Sequence, residues 1–158
     1  MTSIEELPFI GISDDRLVHM RQVATRAREI SIELFGWTES KARSMYILGF
    51  LHDVGYAFSS DQRQHEELGG ELLRNNGYEH WREIFYHGNP DSLYESDELF
   101  VLNLADMQTS SDGRHITIEE RLDGIADTYG TDSSQFKQAQ RLAHSLGQKL
   151  KHIKQSSN

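Results

Sequence analysis

Apolar residues recur at steps of three and four along most of the chain, and this periodicity restricts the fold more than any other feature. Such spacing places apolar side chains on one face of an α-helix. In the first segment, Ser13 can cap a helix that carries Asp14 and Asp15 in its first turn and ends before Gly36. No stretch alternates apolar and polar residues as a half-buried strand would. The pattern therefore predicts an all-α protein.

Further helix signals bring the predicted total to about seven. Thr117 and Glu120 have the spacing of a capping box. The segment from Tyr56 to Asp61 is predicted to be a loop. Thr38 can cap the second helix, which has Glu39 in its first turn. The remaining helices are predicted at Thr38 to Leu51, Gln62 to Asn75, Trp81 to His87, about Glu95 to Met107, Thr117 to about Gly130, and from Asp132 or Ser133 to about residue 154.

The last predicted helix carries an apolar stripe that has two interpretations. The simpler interpretation is packing against the core, and the alternative is a dimer seam. The protein is accordingly expected to be a monomer or a homodimer. The stripe consists of Phe136, Ala139, Ala143, Leu146, Leu150 and Ile153.

Composition limits the class of partner and the kind of metal site. The formal net charge of -9 disfavours nucleic-acid polymers and anionic membrane surfaces. A small phosphorylated molecule remains compatible, because bound divalent cations would invert the charge locally. The chain has no cysteine, so any metal must be held by nitrogen and oxygen ligands. No leader signature or membrane-length apolar run is present, and we expect a cytoplasmic protein.

The dipeptide His52-Asp53 stands where an apolar helix stops before Gly55. Neighbouring residues on a helix point about 100° apart, so these two side chains can serve one ion most easily at a helix end. Other imidazoles and one carboxylate lie in the segments before and after this dipeptide. A metal centre is the leading hypothesis for the set His19, His52, Asp53, His65, His87 and Asp106.

The order and local sequence of these residues resemble the HD superfamily of metal-dependent phosphohydrolases. The matching segments are 18–24, 52–55, 65–70, 87–88 and 104–106. The resemblance implies one helical HD-type domain over residues 1–158, with the motifs at about 13–110 and a helical extension at about 111–154. It also implies that His19, His52, Asp53 and Asp106 are the primary metal ligands. In members with two ions, His65 and His87 would bind the second ion and Asp53 would bridge both.

These ligand types suit manganese, iron, cobalt, nickel or zinc better than magnesium. Two ions are favoured over one because His65 and His87 are both present. The implied reaction is hydrolysis of a phosphoester or phosphoanhydride in a nucleotide or related small metabolite by a metal-activated water. The catalytic candidates are Asp53, His65, His87 and Glu66, although Glu66 is equally an ordinary acid in the first turn of a helix.

At two positions, the cationic residue that is common in the family is absent from this chain. A lysine is common at the position of Tyr56, and an arginine is common at the position of Gln22. Arg63 is the nearest remaining cation in the sequence, followed by Arg21 and Arg114. The candidate substrate-binding residues are therefore Arg63, Tyr56 and Arg21.

Two other functions fit the same residues. Some relatives in the superfamily use a di-iron pair to oxygenate substrates, and His65 with His87 would permit that chemistry. A non-catalytic, metal-stabilised helical module for sensing or assembly is the other alternative. Each histidine also has an ordinary structural explanation, such as a core position for His19 or a helix end for His52.

Overall fold

Seven α-helices make up most of the computed structural model, which describes residues 12–58 and 64–156. No strand occurs in these two ranges, so the predicted all-α class and number of helices are confirmed. None of the described helices is both long and apolar enough to cross a membrane. The helices are α1 (Asp14–Glu33), α2 (Glu39–Leu51), α3 (His65–Asn75), α4 (Trp81–Tyr86), α5 (Asp97–Met107), α6 (Ile118–Tyr129) and α7 (Ser134–Ser156).

The predicted N-caps at Ser13, Thr38 and Thr117 are confirmed. Each side-chain oxygen accepts a hydrogen bond from the backbone N–H three residues later. At α6 the Glu120 side chain also reaches back to the Thr117 backbone, which completes the capping box. These helix starts depend on contacts within one turn, and this is why residue spacing predicted them.

Two predicted boundaries near the His-Asp dipeptide are wrong. The predicted loop from Tyr56 starts within a 3₁₀ turn, Val54–Ala57, in which the Tyr56 N–H donates to the Asp53 carbonyl at 3.1 Å, and the end of the predicted loop, at 59–61, lies outside the described residues. The third helix begins at His65, after Gln64, instead of at Gln62, which lies outside the described residues.

Two boundaries further along the chain also differ from the prediction. Helix α4 ends at Tyr86 because His87 has an extended backbone, with φ -62° and ψ 143°. Helix α5 begins at Asp97, and not near Glu95, because the Ser96 side chain accepts from the Leu99 N–H at 2.9 Å.

The core lies between α1, α2, α5 and α7, and α5 is its central element. From Leu99 to Ala105 every residue of α5 is buried, as expected for a helix that is apolar on all sides. Leu142 and Leu146 of α7 are buried, and most of the predicted stripe packs against the same core. Most of the stripe is therefore used for packing against the core.

A close approach of α1 and α2 brings the first predicted ligand near the His-Asp dipeptide. A Cβ added to Gly49 of α2 would lie 2.8 Å from the Ala24 Cα of α1, closer than side chains tolerate. Glycine at this position lets the two backbones touch. His19 precedes this contact on α1 and His52 follows it on α2, so both reach the same end of the helix pair.

Glu83 joins α4 to the start of α5 through a buried carboxylate. Its Oε2 atom accepts hydrogen bonds from the Tyr94 hydroxyl and, at 3.2 Å, from the Ser96 hydroxyl. Its Oε1 atom lies 3.2 Å from His80 Nδ1. Burial alone would raise the pKa of Glu83, but the hydrogen bonds from His80 and Tyr94 lower that pKa below its ordinary value.

We expect Glu83→Gln to lower the free energy of unfolding by about 1–3 kcal/mol near pH 6, because it removes a charged, buried acceptor from half-buried donors. The folded-state pKa of Glu83 is lowered, so its contribution is present above the ordinary value of 4.5 and disappears at lower pH. Thermal unfolding should therefore show a gap between wild type and variant that narrows below about pH 4. Glu79→Gln, on the exposed neighbour, is the control, and equal stability of the two variants near pH 6 would contradict the prediction.

Candidate metal centre

The six predicted ligands lie together, with the Asp53 carboxylate at their centre. Its Oδ2 atom faces one pair of imidazoles, at 3.2 Å from His52 Nε2 and 3.7 Å from His19 Nε2. Its Oδ1 atom faces the other pair, at 3.1 Å from His65 Nε2 and 3.5 Å from His87 Nε2. Asp53 thus lies between two pairs of nitrogen donors, one on each carboxylate oxygen.

Asp106 joins only the first of these pairs. Its Oδ1 atom lies 2.9 Å from His19 Nε2 and 3.5 Å from His52 Nε2. These three side chains offer ligand atoms within 4.8 Å of one another, close enough to share an ion. The tertiary fold therefore brings Asp106 of α5 to the same place as the His-Asp dipeptide.

Glu66 extends the second pair. Its Oε2 atom lies 3.4 Å from His65 Nδ1, and the set His65, Glu66 and His87 also has ligand atoms within 4.8 Å of one another. The catalytic candidate Glu66 is therefore next to the cluster. Its side chain is 25% exposed, whereas that of Asp53 is 4% exposed, so Glu66 borders solvent.

Backbone carbonyls fix the orientation of three imidazoles. His19 Nδ1 lies 2.8 Å from the Ser110 carbonyl oxygen, and His52 Nδ1 lies 2.7 Å from that of Gly49. His87 Nδ1 lies 2.6 Å from the carbonyl oxygen of Ile84. A carbonyl oxygen can only accept, so each Nδ1 donates its proton, and each Nε2 faces the carboxylates, where it can either carry a proton or bind a metal. This is the arrangement that metal-binding histidines adopt.

Among the imidazole nitrogens of the cluster, His52 Nε2 is the best suited to bind a metal. It is buried and makes no well-formed hydrogen bond within the part of the chain that the structure describes, although carboxylate oxygens lie close to it. Burial would lower the pKa of the His52 imidazole, but Asp53 and Asp106 outweigh that effect and raise the pKa to about 10. Two carboxylates that attract a proton this strongly would also attract a divalent cation.

The same imidazoles keep the carboxylates ionised. Burial alone would raise the pKa values of Asp53 and Asp106, but the neighbouring histidines, His52 foremost, hold both well below the usual range. Ionised oxygens, and imidazole nitrogens that release any Nε2 proton when a metal binds, together form a donor set for a borderline metal such as manganese, iron or zinc.

Glycines let the motif segments approach closely enough to form this cluster. A Cβ on Gly55 would overlap the His65 carbonyl oxygen, and it would lie 3.0 Å from the Gly69 N atom. The 3₁₀ turn after Asp53 therefore packs directly on the backbone of α3. This contact places His65, the first residue of α3, against the carboxylate.

The two described substrate-binding candidates, Tyr56 and Arg21, occupy different positions. The Tyr56 ring stacks on the His65 ring, with centroids 4.1 Å apart and an angle of 18° between the planes. Arg63 lies outside the described residues. Arg21 is exposed and, two residues after buried His19, points to another side of α1. Arg114 is exposed and pairs with Asp112.

The sequence analysis missed Arg16. Its Nη1 atom donates to Asp53 Oδ2 at 3.0 Å, and its guanidinium carbon lies 4.2 Å from the Tyr56 ring centroid. One signal was available, since Arg16 precedes His19 by three residues and so shares its face of α1. The pairing with Asp53 joins residues 37 positions apart, and spacing along one helix does not reveal it.

Comparison with known proteins identifies one family. The model of the family described as HD domain matches residues 16–132, which include all six predicted ligands. The match extends past the motif-bearing segment 13–110 and reaches beyond α6. No curated protein and no solved structure matches the chain significantly.

We expect Gly55→Ala to weaken metal binding by about ten- to a hundredfold, because the added methyl group would push the start of α3 away from Asp53. Isothermal titration with manganese would measure the change. Gly124→Ala is the matched control, since a Cβ at that position in α6 meets open space. Wild-type affinity in Gly55→Ala would show that the close packing of α3 does not position His65.

Proposed function

The chain belongs to the HD domain family, whose members are generally metal-dependent hydrolases, and from this premise we propose that it is a phosphohydrolase. The proposed reaction cleaves a phosphoester or phosphoanhydride in a nucleotide or a related small phosphorylated metabolite. One observation carries the proposal: four imidazole Nε2 atoms surround Asp53, and three of these rings donate their other nitrogen proton to a backbone carbonyl.

The donor set divides into two halves that would hold two divalent ions. His19, His52 and Asp106 would hold one ion, together with Oδ2 of Asp53. His65 and His87 would hold the second, together with Oδ1 of Asp53. Nitrogen and carboxylate donors in this mixture favour manganese, iron, cobalt, nickel or zinc over magnesium.

Bound divalent ions at this position activate water and offset the charge of a phosphoryl group. In the reaction, the water oxygen forms a bond to phosphorus while the bond from phosphorus to the leaving oxygen breaks. The leaving oxygen keeps the bonding pair and takes up a proton, so a phosphomonoester gives an alcohol and inorganic phosphate.

The chain supplies groups that hold protons at the edge of the cluster. Glu66 borders solvent beside His65 and is placed to accept a proton from water. Burial raises the pKa of the Tyr56 phenol, with Asp53 adding to the effect, so this hydroxyl stays protonated and remains a hydrogen-bond donor. Tyr56 is therefore suited to orient an oxygen of the substrate, and Glu66 to act as the general base.

The test is phosphate release by protein that has been stripped of metal and reloaded separately with manganese, cobalt, nickel, iron or magnesium. Mononucleotides, dinucleoside polyphosphates and simple phosphoesters form the substrate panel. We expect turnover that requires metal and falls by at least about a hundredfold in Asp53→Asn, which loses the central carboxylate. Asp123→Asn, at an exposed position of α6, should keep wild-type turnover.

Other results would point to the alternative functions. Tight metal binding without phosphate release would contradict hydrolysis. Substrate-dependent oxygen uptake by the iron-loaded protein would then indicate a di-iron oxygenase. Metal binding that only raises the melting temperature, without either reaction, would indicate a helical module for sensing or assembly.

A further inference from the structure

Arg16 is a permanently charged side chain in contact with the central carboxylate. Its Nη1 atom donates to Asp53 Oδ2 at 3.0 Å, and its side chain is 24% exposed. Among the described residues it is the only arginine or lysine paired with Asp53 or Asp106. The side chain therefore connects the buried cluster with solvent.

Tyr56 contacts this guanidinium and a predicted metal ligand. The Arg16 guanidinium carbon lies 4.2 Å from the Tyr56 ring centroid, and the His65 ring stacks on the same phenol ring at 4.1 Å. A guanidinium that stacks through its face keeps its N–H groups at the edge, in the plane where bidentate bonds to a phosphate form.

The charges at the site favour an anion next to Arg16. The carboxylates of Asp53, Asp106 and Glu66 together carry three negative charges at the cluster. Two divalent ions and the Arg16 guanidinium would outweigh these charges and leave the site positive. If divalent ions bind the oxygens of Asp53, the negative charge of this carboxylate no longer compensates the Arg16 guanidinium. An incoming anion would then supply the compensating negative charge.

Access to the cluster is narrow. The side chains of His52, His87 and Asp53 are at most 4% exposed. The side chains that border solvent are Glu66, at 25%, Arg16, at 24%, and Asp106, at 21%. A phosphate that enters beside Arg16 would therefore meet the guanidinium before the buried ligands, with its substituent directed back to solvent.

We propose that Arg16, held against Tyr56, recognises a terminal phosphate dianion, and that the substrates are phosphomonoesters or terminal phosphates in preference to phosphodiesters. This assignment rests on the proposed phosphohydrolase function. A monoester carries nearly two negative charges at neutral pH, whereas a diester carries one and has a second substituent to accommodate. Arg16 would thus select substrates by the charge of their phosphate group and by whether that group has an unsubstituted end.

The first experiment measures anion binding apart from turnover. Inorganic phosphate is titrated calorimetrically into manganese-loaded wild type, Arg16→Gln, Arg16→Lys and the control Arg43→Gln, an exposed arginine of α2. We expect Arg16→Gln to weaken phosphate binding by about ten- to a hundredfold with unchanged manganese content. Arg16→Lys should keep part of the affinity, because it retains the charge and loses the planar edge.

The second experiment compares two substrates with the same leaving group, p-nitrophenyl phosphate and bis(p-nitrophenyl) phosphate. In Arg16→Gln we expect kcat/KM for the monoester to fall at least about tenfold and that for the diester to change by less than about threefold. Equal losses on both substrates would overturn the preference for a terminal phosphate.

The outcomes separate this proposal from the proposed function. Unchanged phosphate affinity in Arg16→Gln, or an equal loss in Arg43→Gln, would overturn the role of Arg16 even if the protein hydrolyses phosphoesters. Phosphate affinity that depends on Arg16, in a protein that hydrolyses no substrate of either kind, would support recognition by Arg16 and refute hydrolysis. Loss of manganese in both Arg16 variants would show that Arg16 only supports the carboxylate, which also overturns the proposal.

Discussion

The buried, ionised carboxylate of Asp53 is the constraint on which the arrangement of this molecule depends. A charge removed from water is unfavourable unless donors or opposite charges surround it closely. Here the compensation comes from α1, from the end of α2, from the start of α3 and from the residue after α4. The ends of these helices must therefore meet at one point, and the glycines at their contacts let the backbones come close enough.

Features that depend on one helical turn were predictable from the sequence, and features that depend on two distant segments were only partly so. The caps at Ser13 and Thr117 follow from spacing, because donor and acceptor lie three residues apart. The ligand types and their order also pointed to a metal centre. The contact of Arg16 with Asp53 depends on the α1–α2 packing at Gly49, and no local pattern encodes that distance.

The segment after α5 carries no motif, yet it takes part in the site through its backbone. The Ser110 carbonyl oxygen accepts from His19 Nδ1 and also from the Gly113 N–H at 3.0 Å. Gly113 has φ +86°, and its Cβ position is occupied by the Val18 side chain, so the turn rests directly on α1. The extension beyond residue 110 thus helps to orient His19, a predicted metal ligand, in agreement with a family match that continues to residue 132.

Three histidines donate to main-chain carbonyl oxygens, and this limits which mutations would disturb their orientation. The acceptors belong to Gly49, Ile84 and Ser110. A carbonyl oxygen is the same in every residue type, so exchanging the side chain at an acceptor position leaves the imidazole bond available. A one-residue insertion between Ile84 and His87 would instead rotate the ring away from its acceptor, since that bond spans three residues. For these hydrogen bonds the length of the chain therefore matters more than the identity of the side chain, except at Gly49, where the contact with Ala24 leaves no room for a Cβ.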